Sequence, residues 1–327
     1  TSFTTQDLAL SLDMFSDRVL KPAVATIANK IDRDGLVTAA SNTANIVGTA
    51  GTPPTSLLTY LTAGAYLDSE GAPRDGRRSC IVEPFTSATI VDSLKGLFVP
   101  SQKIAQQYEK GLMGTDSAGM KWKMDQNVVA QTFGSFAGTG AVATTTATGF
   151  LTTGWASTST ITLIATGAVS LNAGDTFQIA GVYAVNPQNR QAYGTNKLRN
   201  FVVKTAASGT STSFSVTVSP AVITAGQFQN VSIPTTSATA AVTFFNSSGT
   251  VSPQNIVMHR NAFTVAMADL ELPEGVHFAG RASDKELGMS IRVVRQYTIN
   301  NDSIPTRLDV LYGWAPLYPE LACRVAA

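Results

Sequence analysis

Thr160-Ile161-Thr162-Leu163, Thr176-Phe177-Gln178-Ile179, Phe201-Val202-Val203, Phe214-Ser215-Val216-Thr217-Val218 and Val242-Thr243-Phe244 are short β-rich runs separated by Gly, Asn and Ser turns. Several strands at such close spacing form a barrel or a sandwich. All five fall between Ala137 and Thr250, a stretch of 114 residues whose only charges are Asp175, Arg190, Lys197, Arg199 and Lys204; the other 213 residues carry forty. The same stretch holds 35 Ser and Thr residues with repeated Gly. A composition that changes so abruptly at both edges reads as a domain, 137–250, inserted into a host built from 1–136 and 251–327. The longest link of the insert runs from Val185 to Asn200 and gathers Arg190, Lys197 and Arg199, three of its five charges and all positive. Three basic residues without interleaved aromatics are weak grounds for nucleic-acid binding. They are read instead as a candidate inter-subunit contact loop that projects into solvent or onto a partner.

The host begins differently. Thr4-Thr5-Gln6-Asp7 has capping-box spacing, and Leu8, Leu12, Phe15, Val19, Ala23, Ile27 and Ile31 recur at helical steps. This predicts a helix over 5–33 that stops at Gly35, roughly 44 Å long at about 1.5 Å per residue and bent at Pro22. Gly48, Gly51, Pro53 and Pro54 mark a turn, Leu57, Leu58 and Leu61 a short helix, and the charged tip from Asp68 to Arg78 is expected to be exposed. Ser79-Cys80-Ile81-Val82 suits a buried strand, Phe85 to Phe98 and Lys103 to Leu112 suit helices, and Met120 to Met124 alternates like a half-exposed strand. After the insert, 256–270, 290–297 and 307–314 read as strands, the last two with one exposed face. They are expected to return to the sheet begun before the insert.

The chemistry-bearing residues are sparse. Two histidines, His259 and His277, have no Cys or His at ligand spacing, so no metal or other cofactor site is assigned. No Gly-x-Ser-x-Gly elbow is present, and Gly48-Thr49-Ala50-Gly51 lacks the Lys-Ser/Thr ending of a phosphate loop. Asp32-Arg33-Asp34 and Glu271-Leu272-Pro273-Glu274 read as solvated structural carboxylates. Cys80 and Cys323 are read as buried thiols of a reducing compartment. A net charge of +1 argues against affinity for nucleic acid or an anionic membrane, and no run of about 18 apolar residues spans a bilayer. No catalytic residue, cofactor or small-molecule substrate is therefore expected. A polysaccharide-acting enzyme would need an acidic and aromatic cleft, whereas the insert has Asp175 as its one carboxylate and Trp155 as its one tryptophan. A phage or bacterial surface-binding β-rich protein is the alternative, and it predicts a β-structured host piece in place of a leading helix.

Phe3-Thr4-Thr5-Gln6-Asp7-Leu8-Ala9-Leu10-Ser11-Leu12, with Lys21-Pro22-Ala23 and Ile31-Asp32-Arg33-Asp34-Gly35, resembles the spine-helix region of tailed-bacteriophage major capsid proteins. Gly174-Asp175-Thr176-Phe177-Gln178-Ile179-Ala180-Gly181-Val182 is similar to the opening strands of the inserted β-barrel I-domain in the P22-like coat proteins. Asp309-Val310-Leu311-Tyr312-Gly313-Trp314 and Pro319-Glu320-Leu321-Ala322 resemble the C-terminal strand of that group. The resemblance implies an α+β, HK97-like capsid fold with a long spine helix, discontinuous in sequence, plus an inserted all-β barrel. It implies copies assembling as pentamers and hexamers into an icosahedral shell around double-stranded DNA, with scaffolding and portal proteins as partners. Assembly would take place in the bacterial cytoplasm and the product would reside in the virion. Because an N-terminal arm and extended loop precede the spine helix in that family, a segment upstream of Thr1 is expected.

Overall fold

The computed structural model describes residues 2–4, 21–93, 117–136, 141–143, 149–150, 154–165, 167–193, 197–210, 213–235, 239–245, 248–284 and 289–327. The first part of the expected spine helix, 5–20, and the expected helix over 103–112 lie outside these residues. The chain divides into two compact units, one of 1–35 with 264–315 and the other of 36–263 with 316–327.

In the first unit a four-stranded antiparallel sheet runs in the order Ser2–Thr4, Ser303–Asp309, Met289–Arg295, Phe278–Asp284. Phe263–Ala268 pairs separately with Leu311–Pro316. The segments read as strands at 290–297 and 307–314 thus fall in pairings with Ser2–Thr4 and with Phe263–Ala268, and not in the sheet that holds Arg78–Val82, where they were expected. Arg292, Arg295, Arg307 and Asp309 place four charges on these two strands, which the first unit's sheet leaves mostly half-buried. Asp309 accepts from Arg292 and Arg307, each at 2.5 Å.

Helix α1, Lys21–Asn42, continues through Gly35 and does not stop there. A Cβ at Gly35 would lie 2.6 Å from the ring of Trp314. The glycine therefore serves as a slot for the indole, whose Nε1 donates to the Ile31 carbonyl at 2.9 Å. Packing and this bond offset the roughly 1 kcal/mol that glycine costs inside a helix.

The second unit holds a mixed sheet in the order Ile46–Gly48, Ala322–Ala326, Val251–His259, Arg78–Val82, Lys121–Met124, with Ala130–Thr132 also paired to Val251–His259. These are the strands that rejoin the two host pieces. Helices α2 (Leu57–Ser69) and α3 (Pro84–Ser93) cover one face through Tyr60, Ala63, Leu67 and Ile90. Leu36 and Ala39 of α1 meet Ile256 on the other. With both faces covered, every residue of Ala322–Ala326 is buried, Arg324 among them. Ser56 caps α2 by accepting from the Leu58 amide at 3.1 Å. The buried stripe is Tyr60, Ala63 and Leu67, while Leu58 and Leu61 face out.

The charge-poor stretch supplies a ring of antiparallel strands. Leu198–Val203, Ser213–Ser219, Ser159–Ala165, Ala141–Ala143, Ala240–Phe244 and Thr176–Ala184 pair in succession, and the last pairs back with the first. Alternate residues point inward, so Ile161, Leu163, Phe177, Ile179, Phe201, Val216, Val218 and Val242 fill the interior. Closure pairs both edges of every strand in the ring, and its outward positions are uncharged, among them Thr160, Thr162, Ser213, Ser215, Thr217 and Thr243. A smaller sheet joins Ala207–Thr210, Ala168–Leu171 and Ser135–Phe136.

Candidate functional site

The start of strand Leu198–Val203 lies next to the end of α2, and two of the five charges of 137–250 meet it there. Arg199 lies one residue inside strand Leu198–Val203, and its Nη1 donates to Glu70 Oε1 at 2.6 Å. Their side chains are 5% and 7% exposed. Burial works against the Arg199 charge, yet Glu70 more than offsets it and holds the guanidinium above its ordinary pKa. Lys197 Nζ donates to Ser69 Oγ at 2.9 Å and sits 3.7 Å from the centre of the Tyr66 ring. Burial lowers its pKa, partly countered by Glu70. The Tyr193 hydroxyl donates to the Ser69 carbonyl, and Lys204 Nζ to Asn42 Oδ1. Barrel and host are thus joined through the last turn of α2 and the last residue of α1.

The three loop residues do not form one projecting group. Arg190 is exposed at a turn with φ +56°, where its Nη1 donates to the Gly226 carbonyl at 3.2 Å. Lys197 is half-buried and Arg199 buried, both turned toward their own chain. Nor is the tip from Asp68 to Arg78 uniformly exposed. Glu70 pairs inward, and Arg78, 4% exposed, is held by Asp68 at 2.7 Å and by the carbonyls of Ala72 and Pro73. An isolated arginine followed by Phe201-Val202-Val203 was the available sequence signal, since a charge leading a fully buried strand needs a partner.

A second seam forms at Asp175, which is fully buried. Its Oδ2 accepts from the amides of Gly134 (3.0 Å) and Asn172 (2.8 Å), and its Oδ1 from Gln131 Nε2 at 3.4 Å. Burial pushes the carboxyl up, and these bonds pull it back. A side chain at Gly134 would stand 2.0 Å from the Ser170 carbonyl, so glycine is required where the host strand meets the barrel turn.

His259 Nε2 faces Asp75 at 3.2 Å, and His277 is exposed. Asp34 accepts from Lys30 and from Tyr312, and Glu271 and Glu274 are exposed. Among the described residues no group of three or more His, Cys, Asp or Glu is arranged to hold a metal, and no helix is long and apolar enough to cross a membrane. An open cleft of about 650 Å³ is lined by Trp155, Phe228, Leu317 and Tyr318, with Glu70 and Glu320 as its carboxylates. Glu70 is already engaged by Arg199, so no pair of free carboxylates stands there for glycoside chemistry.

Residues 1–324 match the family described as P22 coat protein, gene protein 5. The chain belongs to this coat protein family. It is a phage major capsid protein, a structural component from which the shell is formed. No curated protein matches it.

Proposed function

We propose that this coat protein has an HK97-like core, with α1 as the described part of its spine helix and with the ring of 137–250 as an inserted I-domain. Copies assemble as pentamers and hexamers into an icosahedral shell that encloses double-stranded DNA. Assembly proceeds in the host cytoplasm with scaffolding and portal proteins. The barrel braces the subunit from within, and Arg190, exposed on its loop, reaches a neighbouring copy.

The observation that carries this reading is the closed ring with its own apolar interior, seated on the host through a buried ion pair. Such an arrangement adds a second rigid body without opening the host sheet, whose strands Val251–His259 and Ala322–Ala326 rejoin across it. Electron microscopy of the full-length product expressed with its neighbouring viral genes tests it. Closed icosahedral particles with pentamers and hexamers are expected. Persistent monomers, or open sheets and tubes under every condition, would overturn it.

A further inference from the structure

Arg324 is the feature that neither the fold nor the site explains. It occupies the middle of Ala322–Ala326, is 0% exposed, and none of its three guanidinium nitrogens meets a hydrogen-bond partner among the described residues. Its backbone is fully used, with its amide donating to Asn45 at 2.8 Å and its strand registered against Ile256 and Ile46. Five N–H donors on a permanent charge at the most buried strand of the sheet would cost several kcal/mol if left dry.

Two acceptors converge on the same side. Gln254 registers against Ala326 on the neighbouring strand, so it shares the face of Arg324 and lies diagonal to it, about 7–8 Å away. Its Nε2 is spent on Ser252, whereas its Oε1 is buried and unpartnered. Asp175 of the barrel turn lies close to the same face: its Oδ2 accepts from the Gly134 amide, and the adjacent Phe133 packs with Ala326, two residues along the strand from Arg324, so that each charge stabilises the other. No hydrogen bond or ion pair joins them directly, and the Asp175 oxygens are held by Gly134, Asn172 and Gln131.

We infer that ordered water molecules bridge the Arg324 guanidinium to Asp175 and to Gln254 Oε1, forming an internal, hydrated ion pair between the host sheet and the barrel. Water matches this chemistry because it accepts from arginine and donates to both oxygens. A bound anion would instead face the Asp175 carboxylate. Buried waters typically occupy such places, each satisfying two to four otherwise orphaned groups. The joint between barrel and sheet is then partly solvent-mediated at this seam, unlike the direct Arg199–Glu70 pair at the other.

A map of the wild-type shell or of a crystal of the full chain, at about 2 Å resolution, tests this without any variant. Expected are ordered waters about 2.7–3.2 Å from the guanidinium nitrogens, at least one also in reach of Asp175 or Gln254. A direct Arg324–Asp175 contact, a non-water anion, or a guanidinium with no solvent peak would each overturn the inference. A double-mutant cycle on the full chain reads the coupling. Arg324→Met and Asp175→Asn should each lower the melting temperature by about 5 °C or more, and the pair by clearly less than the sum. Additive shifts would count against it. Should a variant fail to fold, the wild-type map alone decides.

Discussion

At the scale of single residues, the subunit is held by charges that have left water. Removing one partner of the Arg199–Glu70 pair strands the other in a site less than a tenth exposed. Arg199→Ala and Glu70→Ala are therefore each expected to destabilise the full chain by about 3–5 kcal/mol, while an apolar double replacement recovers most of the loss. Denaturant melts measure this, and single variants within about 1 kcal/mol of wild type would show that the pair is not buried in solution. Asp68 offers a pH readout. The Arg74 hydrogen bond and the Arg78 pairing hold its carboxyl below the ordinary value of 3.8. A depressed folded pKa contributes stability that is present above the unfolded value and lost as pH falls through the folded one. The stability difference between wild type and Asp68→Asn should thus be full at neutral pH and shrink below about pH 4; a gap unchanged at low pH would exclude the charge as its cause.

At the scale of elements, the central strand Val251–His259 decides what the cysteines can do. Val257 registers against Cys80 on one side and Cys323 on the other. Two strand spacings place the cysteine Cα atoms about 10 Å apart, beyond the roughly 7 Å limit for a disulfide. Both thiols are fully buried, and burial pushes their pKa values upward. Thiol-reactive reagent should leave both unlabelled in native protein and label both once it is unfolded, with no intramolecular disulfide under oxidising conditions. Rapid native labelling of either would mean that the sheet opens locally. Helix α1 teaches a related point, since Gly35 ends no helix when an indole fills the space above it.

At the scale of the whole molecule, the barrel carries a complete apolar interior of its own. Residues 136–251 expressed alone are expected to melt cooperatively, below the melting temperature they show in the full chain, because Glu70, Gln131 and Gly134 are left behind. A broad, non-cooperative profile would show that the host supplies part of the barrel's stability. Arg190→Glu makes the complementary test: its exposed side chain leaves the melt of the subunit unchanged while lowering the yield of closed particles, and wild-type assembly would remove Arg190 from the contacts between copies.

The sequence by itself determined that the charge-poor stretch is made of short strands, because alternation of apolar and hydroxyl residues is a local signal; it left barrel and sandwich open, since closure depends on which distant strands pair. It also determined a buried strand at Ser79 to Val82, although it left Arg78, the first residue of that strand, in the exposed tip. Only the tertiary structure decided which later strands pair with Arg78–Val82, for 251–259 and 322–326 hold buried polar residues and do not stand out by local pattern from 289–295 and 303–309. It likewise turned Lys197 and Arg199 inward. Their partners Ser69 and Glu70 lie some 130 residues away in sequence, and a long-range pairing of opposite charges leaves no periodic trace in the chain that encodes it.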